Sequence, residues 1–179
     1  MAGYEYNEDM LGDILPVYEY QGATGVQVTF TSEASYVEPY DLEDFKDYAR
    51  IDFDTDDNLI ALFLKSARQN IEQYLQKSLG VRTINLIALH LPKNYKLPYG
   101  PIQSISTAGY TLFGDLLKEG GKDINITYVT NASLVNDAIE QAIYRQAYHY
   151  YEHREDEMKP DLVSEVKLLV NPYRRIVFP

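Results

Sequence analysis

The stretch DTDDNLIALFLKSARQNIEQYLQKSLG, residues 54–80, constrains the fold more than any other part of the chain. Ile60, Phe63, Leu64, Ala67, Ile71, Tyr74 and Leu75 recur three or four positions apart, so they share one face of a helix. Asp54, Asp56 and Asp57 put negative charge at its start, where the helix dipole favours it. Gly80 reads as a left-handed stop. Lys65, Arg68, Gln69, Glu72, Gln73 and Gln76 cover the opposite face. A helix this long, apolar on one side only, must bury that side against other elements, and the rest of the chain supplies them.

DLEDFKDYARID (41–52) opens with Asp41 as N-cap and carries Glu43 and Asp44 in its first turn. SLVNDAIEQAIYRQAYHYYEHRED (133–156) is a third helix capped by Ser133; it would run roughly 33 Å, about the width of a small domain. DLVSEVKLLV (161–170) is a short fourth helix, and Pro172 forbids its continuation. Between the long helices the period changes to two. In VRTINLIALHL (81–91), Ile84, Leu86, Ala88 and His90 share one side, and strands are also predicted near 101–108 and 122–129. GVQVTFT (25–31) is a short strand in an otherwise turn-rich N-terminal region. The expected fold is mainly α (α+β). An antiparallel core of three to four helices (about 41–51, 54–79, 134–156 and 162–170) carries an inserted small antiparallel sheet or hairpin (about 81–130). Residues 1–40 form an N-terminal arm, 41–179 the main domain, and 171–179 a tail.

Net charge is −11, so the surface repels phosphate and a nucleic-acid-binding role is not expected. With no cysteine there are no disulfides, thiolate metal sites or cysteine nucleophiles. No stretch approaches the roughly 20 apolar residues of a membrane span, and the acidic start MAGYEYNEDML shows no secretory signal. The 17 tyrosines suit surfaces buried against partners.

Candidate chemistry is sparse. HYYEH (149–153) matches the inverted zinc-protease string, with His149 and His153 able to reach one ion and Glu152 as base. A third ligand is missing nearby: His90 is far upstream, and only Glu155, Asp156, Glu157, Asp161 and Glu165 follow. A solvated helix face is the better reading, and neither metal nor cofactor is expected. DTDDN lacks the glycine and terminal glutamate of a calcium loop, and KEGGK lacks the ending of a phosphate loop. An enzyme, a histidine-dependent metallohydrolase, is the weakest of the readings. The tail NPYRRIVFP is either a terminal strand on the protein's own sheet or a peptide that docks on a partner. In the second case Arg174 and Arg175 pair with carboxylates, and Tyr173, Ile176 and Phe178 anchor it.

In order, DLEDFKDYARID, the long helix, LPYGPIQSI, YYEHRE and LLVNPYRR resemble the head-to-tail connector (head-completion adaptor) family of tailed double-stranded DNA bacteriophages, over about residues 41–176. Tyr150, Tyr151, Glu152, Arg154 and Glu155 match its aromatic-Tyr-Glu-x-Arg-Glu motif, with His153 at the variable position. The resemblance implies a non-enzymatic virion protein at the head-tail junction, made in the host bacterial cytoplasm. It implies a ring, expected to be dodecameric, beneath the portal, which passes DNA without specific binding towards the tail or a stopper protein. It also implies that Tyr173, Arg174, Arg175 and Ile176 dock on the portal. Arg68 and Glu72, on the outer face of the long helix, are expected at the subunit interface. The alternative is a small non-enzymatic adaptor or regulatory binding module of prophage origin.

Overall fold

The computed structural model describes residues 15–16, 23–31, 36, 38–154 and 161–174. Asp41 caps α1 (Leu42–Ala49), its carboxylate accepting from the Glu43 and Asp44 amides. Arg50, in the left-handed region at φ 56°, ends it. Helix α2 (Asp57–Leu75) stops at Gln76, left-handed at φ 54°, whose side-chain amide donates to the Gln73 carbonyl. The stop therefore falls four residues before Gly80, because Gln76 closes the last turn with its own side chain. Helix α3 (Asp137–Glu152) starts from Asn136, not Ser133: the Asn136 oxygen accepts from the Ala138 and Ile139 amides. A Gln146 side chain fully buried in α3 accepts from the Val163 amide and so positions α4 (Ser164–Val170), which runs into a 3-10 turn at Asn171–Tyr173.

These helices pack on one another around Phe45, Ile60, Leu64, Ile71, Leu75, Ile139, Ile143 and Val166, all fully buried. Each such side chain contributes roughly 1.5–3 kcal/mol relative to exposure.

The strands build a second core of their own. They are β1 (Leu15–Pro16), β2 (Gln27–Thr31), β3 (Thr83–Leu91), β4 (Tyr95–Lys96), β5 (Ile102–Ile105), β6 (Leu112–Phe113), β7 (Leu116–Leu117) and β8 (Gly121–Thr130). Five form an antiparallel sheet in the order β1-β2-β3-β8-β5, and three form a smaller one, β4-β7-β6. Alternation sends Val28, Ile84, Leu86, Ala88, Ile124, Ile126 and Tyr128 to one face, where Tyr95, Leu97, Tyr99 and Leu117 cover them. The alternation of β3 slips at its end. The Leu89 and His90 amides both donate to the Thr24 carbonyl, so His90 is exposed and Leu91 is the next inward residue.

The expected mainly α fold, with a small hairpin excursion and an N-terminal arm, is therefore corrected. The structure is α+β, with four α-helices and two antiparallel sheets among the described residues. Residues 27–31, expected in the arm, pair with β3 along their whole length, and Val28 is fully buried. The physical reason is edge satisfaction: β3 is bounded by β8 on one side and needs a partner on the other. Helices pack on helices and strands on strands, giving two lobes.

Candidate functional site

The lobes meet where α2 hands over to β3. Glu72, in the last turns of α2, accepts from the guanidinium of Arg68 (2.8 Å), the Leu79 amide (2.7 Å), the Tyr36 hydroxyl (3.0 Å) and the guanidinium of Arg82. Arg68 also forms a two-pronged contact with Glu38, at 2.9 and 3.0 Å. Arg82 stacks over Phe30 and Tyr36, each centroid 4.7 Å away, and Arg68 lies 4.3 Å from the Tyr36 ring. Close by, Thr130 at the end of β8 receives the Arg82 amide and donates to the Gly80 carbonyl. Gly80 is required by crowding: a Cβ there would stand 2.3 Å from the Tyr36 ring.

Burial pulls the Arg68 pKa down, but Glu72, Tyr36 and Glu38 outweigh it and hold the group above its ordinary value. Burial, with Glu72 adding, raises the Tyr36 hydroxyl, and the same two causes push Tyr99 up to about 12. Arg68 and Glu72 therefore do not lie on a solvated outer face as expected. Arg68 has no exposed surface and Glu72 only 4%, because both serve the joint inside the protomer. Sequence reasoning missed Tyr36, Glu38 and Arg82. Only the i,i+4 spacing of Arg68 and Glu72 hinted at an ion pair.

LPYGPIQSI is the other half of this joint. The Tyr99 and Gly100 carbonyls both accept from the Ser78 amide, and Tyr99 packs edge-on against Phe30 at 5.2 Å. Asp115 fits against Gly100 and accepts from the Ile102 amide at 2.8 Å; a Cβ on Gly100 would collide with its carboxylate at 2.5 Å.

YYEHRE stitches α3 to the start of α2. The Tyr150 hydroxyl accepts from Asn70 at 2.7 Å, while Tyr151 (2.9 Å) and Arg154 (3.1 Å) both donate to Asp56, the N-cap of α2. Glu152 is exposed, and Glu155 lies outside the described residues.

His149 and His153 stack at 4.3 Å between ring centroids, and His153 Nδ1 donates to the His149 carbonyl at 2.9 Å. Burial and the neighbouring His153 lower the His149 pKa, with Glu165 opposing. They line an open cleft of about 270 Å³ with Tyr48, Arg145, Tyr148 and Glu165. Among the described residues no three histidine, aspartate or glutamate side chains converge to hold a metal ion.

In the tail, the Tyr173 hydroxyl accepts from Asn136 at 3.1 Å, and Arg174 stacks 4.7 Å from the Tyr74 ring. Arg175, Ile176 and Phe178 lie outside the described residues. Among the described residues no helix is long and apolar enough to cross a membrane.

A helical lobe joined to a sheet lobe is a fold also seen in chains of gene transfer agent particles. The chain is similar to a chain in the neck of an empty GTA particle computed with C6 symmetry, with a TM-score of 0.65 at 17% identity, covering 85% of this chain and 97% of that one. It is similar also to a chain in the virion of a native gene transfer agent particle (0.64, 18%, 85% and 97%). A third likeness is to a chain in the neck of a native GTA particle computed with C12 symmetry (0.57, 19%, 77% and 90%). No curated protein matches the chain. The sequence matches the phage gp6-like head-tail connector proteins over residues 39–176, and the chain belongs to that family. It is thus a structural head-tail connector of a phage-type virion.

Proposed function

We propose that the chain assembles as a ring, a dodecamer, beneath the portal at the head-tail junction, extends the DNA channel towards the tail or stopper, and catalyses no reaction. The family match carries this reading, because residues 39–176 hold α1 to α4 and strands β3 to β8. The similar neck computed with C12 symmetry supports twelve copies. A net charge of −11 suits a conduit, since an acidic wall repels the phosphates of DNA and lets the polymer slide.

The segment Tyr173, Arg174, Arg175 and Ile176 docks on the portal. Its support is the anchoring of Tyr173 and Arg174 on α3 and α2, which gives the peptide a fixed point of departure. Arg68 and Glu72 contribute to assembly through the joint, by fixing the angle at which each copy presents its two lobes. Synthesis takes place in the host bacterial cytoplasm before incorporation in the virion.

The test is to mix the purified chain with its portal and examine the product by mass photometry and negative-stain microscopy. Rings stacked on the portal are expected. Absence of any complex with the portal sinks the reading.

A further inference from the structure

Residues 41–57 carry eight carboxylates against two cations, Lys46 and Arg50. The fold bends this segment into the corner between α1 and α2. There Lys46 is buried beneath Glu43, Asp54 and Asp57, and these contacts pin the loop. Asp44, Asp47 and Asp52 remain exposed. Phe53, between two aspartates, is 48% exposed. The corner thus presents an exposed aromatic ring amid negative charge, held in shape before any partner arrives.

At the far end of the sheet lobe the sign is reversed. Residues 90–122 hold four lysines against two carboxylates in a strongly acidic chain. Lys93, Lys118 and Lys122 are exposed. Lys122 pairs across the sheet with His90, and the Asn94 amide donates to the Lys118 carbonyl, which draws the two lysine-bearing loops together. The Lys118 ammonium lies 6.0 Å from the ring of Phe113, which is 70% exposed, and Leu89 is 63% exposed.

We infer that these two patches bind each other between copies: the acidic corner of one protomer seats on the lysine-rimmed end of the sheet lobe of the next. The inference rests on the ring proposed above and names its contact. A corner set against another corner repels itself, so a two-fold contact through it is disfavoured, whereas corner against lysine end is attractive. Within one protomer the two patches sit on elements that pack in different lobes: α1 packs on α2 and α3, and β3 on β2 and β8. Asp57 at the corner is about 22 Å along α2 from Glu72, and the lysine end of β3 is about 30 Å from the joint. Contact between two unlike patches propagates from copy to copy, which is what a ring requires.

The experiment compares full-length wild type with three variants, each mixed with the portal: Asp47→Lys with Asp52→Lys, Lys118→Glu with Lys122→Glu, and all four together. All four side chains are exposed, so melting curves should match wild type. Each double variant should need about tenfold more protein, or more, to form rings, and the fourfold variant should return to near wild type. Rings that form unchanged in either double variant, or a fourfold variant that fails to recover, overturn this contact while the ring itself stands. If wild type forms no ring on the portal, the ring reading and this inference fall together.

Discussion

The corner between α1 and α2 and the joint between the lobes each hang several elements on one charged side chain, in opposite surroundings. At the corner, Lys46 reaches Asp54 at 2.6 Å and Asp57 at 3.1 Å, and those carboxylates are 88% and 31% exposed. At the joint, Glu72 gathers two guanidinium groups that are 0% and 7% exposed. Water and salt screen the first arrangement far more than the second. The corner is a soft clamp at an exposed surface, while the Glu72 joint is a nearly dry weld. Loss of one member of a dry group leaves the others charged and buried, which costs far more than the pairing itself supplies.

The largest expected effect comes from Glu72→Gln, which takes the carboxylate from Arg82 and leaves Arg68 with Glu38 as its carboxylate partner. Urea unfolding should show a loss of about 3–5 kcal/mol, and a loss below about 1 kcal/mol would erase the contrast between the two regions. Next is Gly80→Ala. The added methyl displaces the Tyr36 ring, and a loss of about 1–3 kcal/mol is expected by the same measurement. Lys46→Met should cost less than either, and its effect should shrink as salt is raised while that of Glu72→Gln does not. Salt-independent behaviour at the corner would show it to be as dry as the joint.

Smallest is the response of His149 to acid. Its folded pKa lies below the unfolded value, so the unfolded chain binds more protons there. Stability should fall as pH drops through about 6.5, the ordinary imidazole value, and His149→Gln should remove that portion of the slope in thermal melts.

The helical lobe was legible because its cores are written at helical spacing. Ile60, Leu64, Ala67 and Ile71 are fully buried, as the period of α2 implied, and Asp41 caps α1 as its position suggested. Capping competition shifted the ends: Asn136 outcompeted Ser133, and Gln76 stopped α2 ahead of Gly80. The size of the sheet lobe was underestimated because β4, β6 and β7 are two-residue strands, too short for any period. The joint was the least legible part. Arg68 and Glu72 look like surface residues until Tyr36 and Glu38, more than 29 positions upstream, fold over them. Opposite charges brought together from distant segments leave no local pattern in a sequence.

A closed circle of identical parts tolerates very little slack. Every copy must turn its neighbour through the same fraction of a revolution, and angular errors at one hinge add up on the way round. In the proposed ring, Glu72 would take up that slack in each copy by tying α2 to Leu79, Arg82 and Tyr36, with the Arg82 amide in turn held by Thr130 of β8. On this view a weakened knot would first show itself as miscounted or unclosed circles on the portal, before any protomer unfolds.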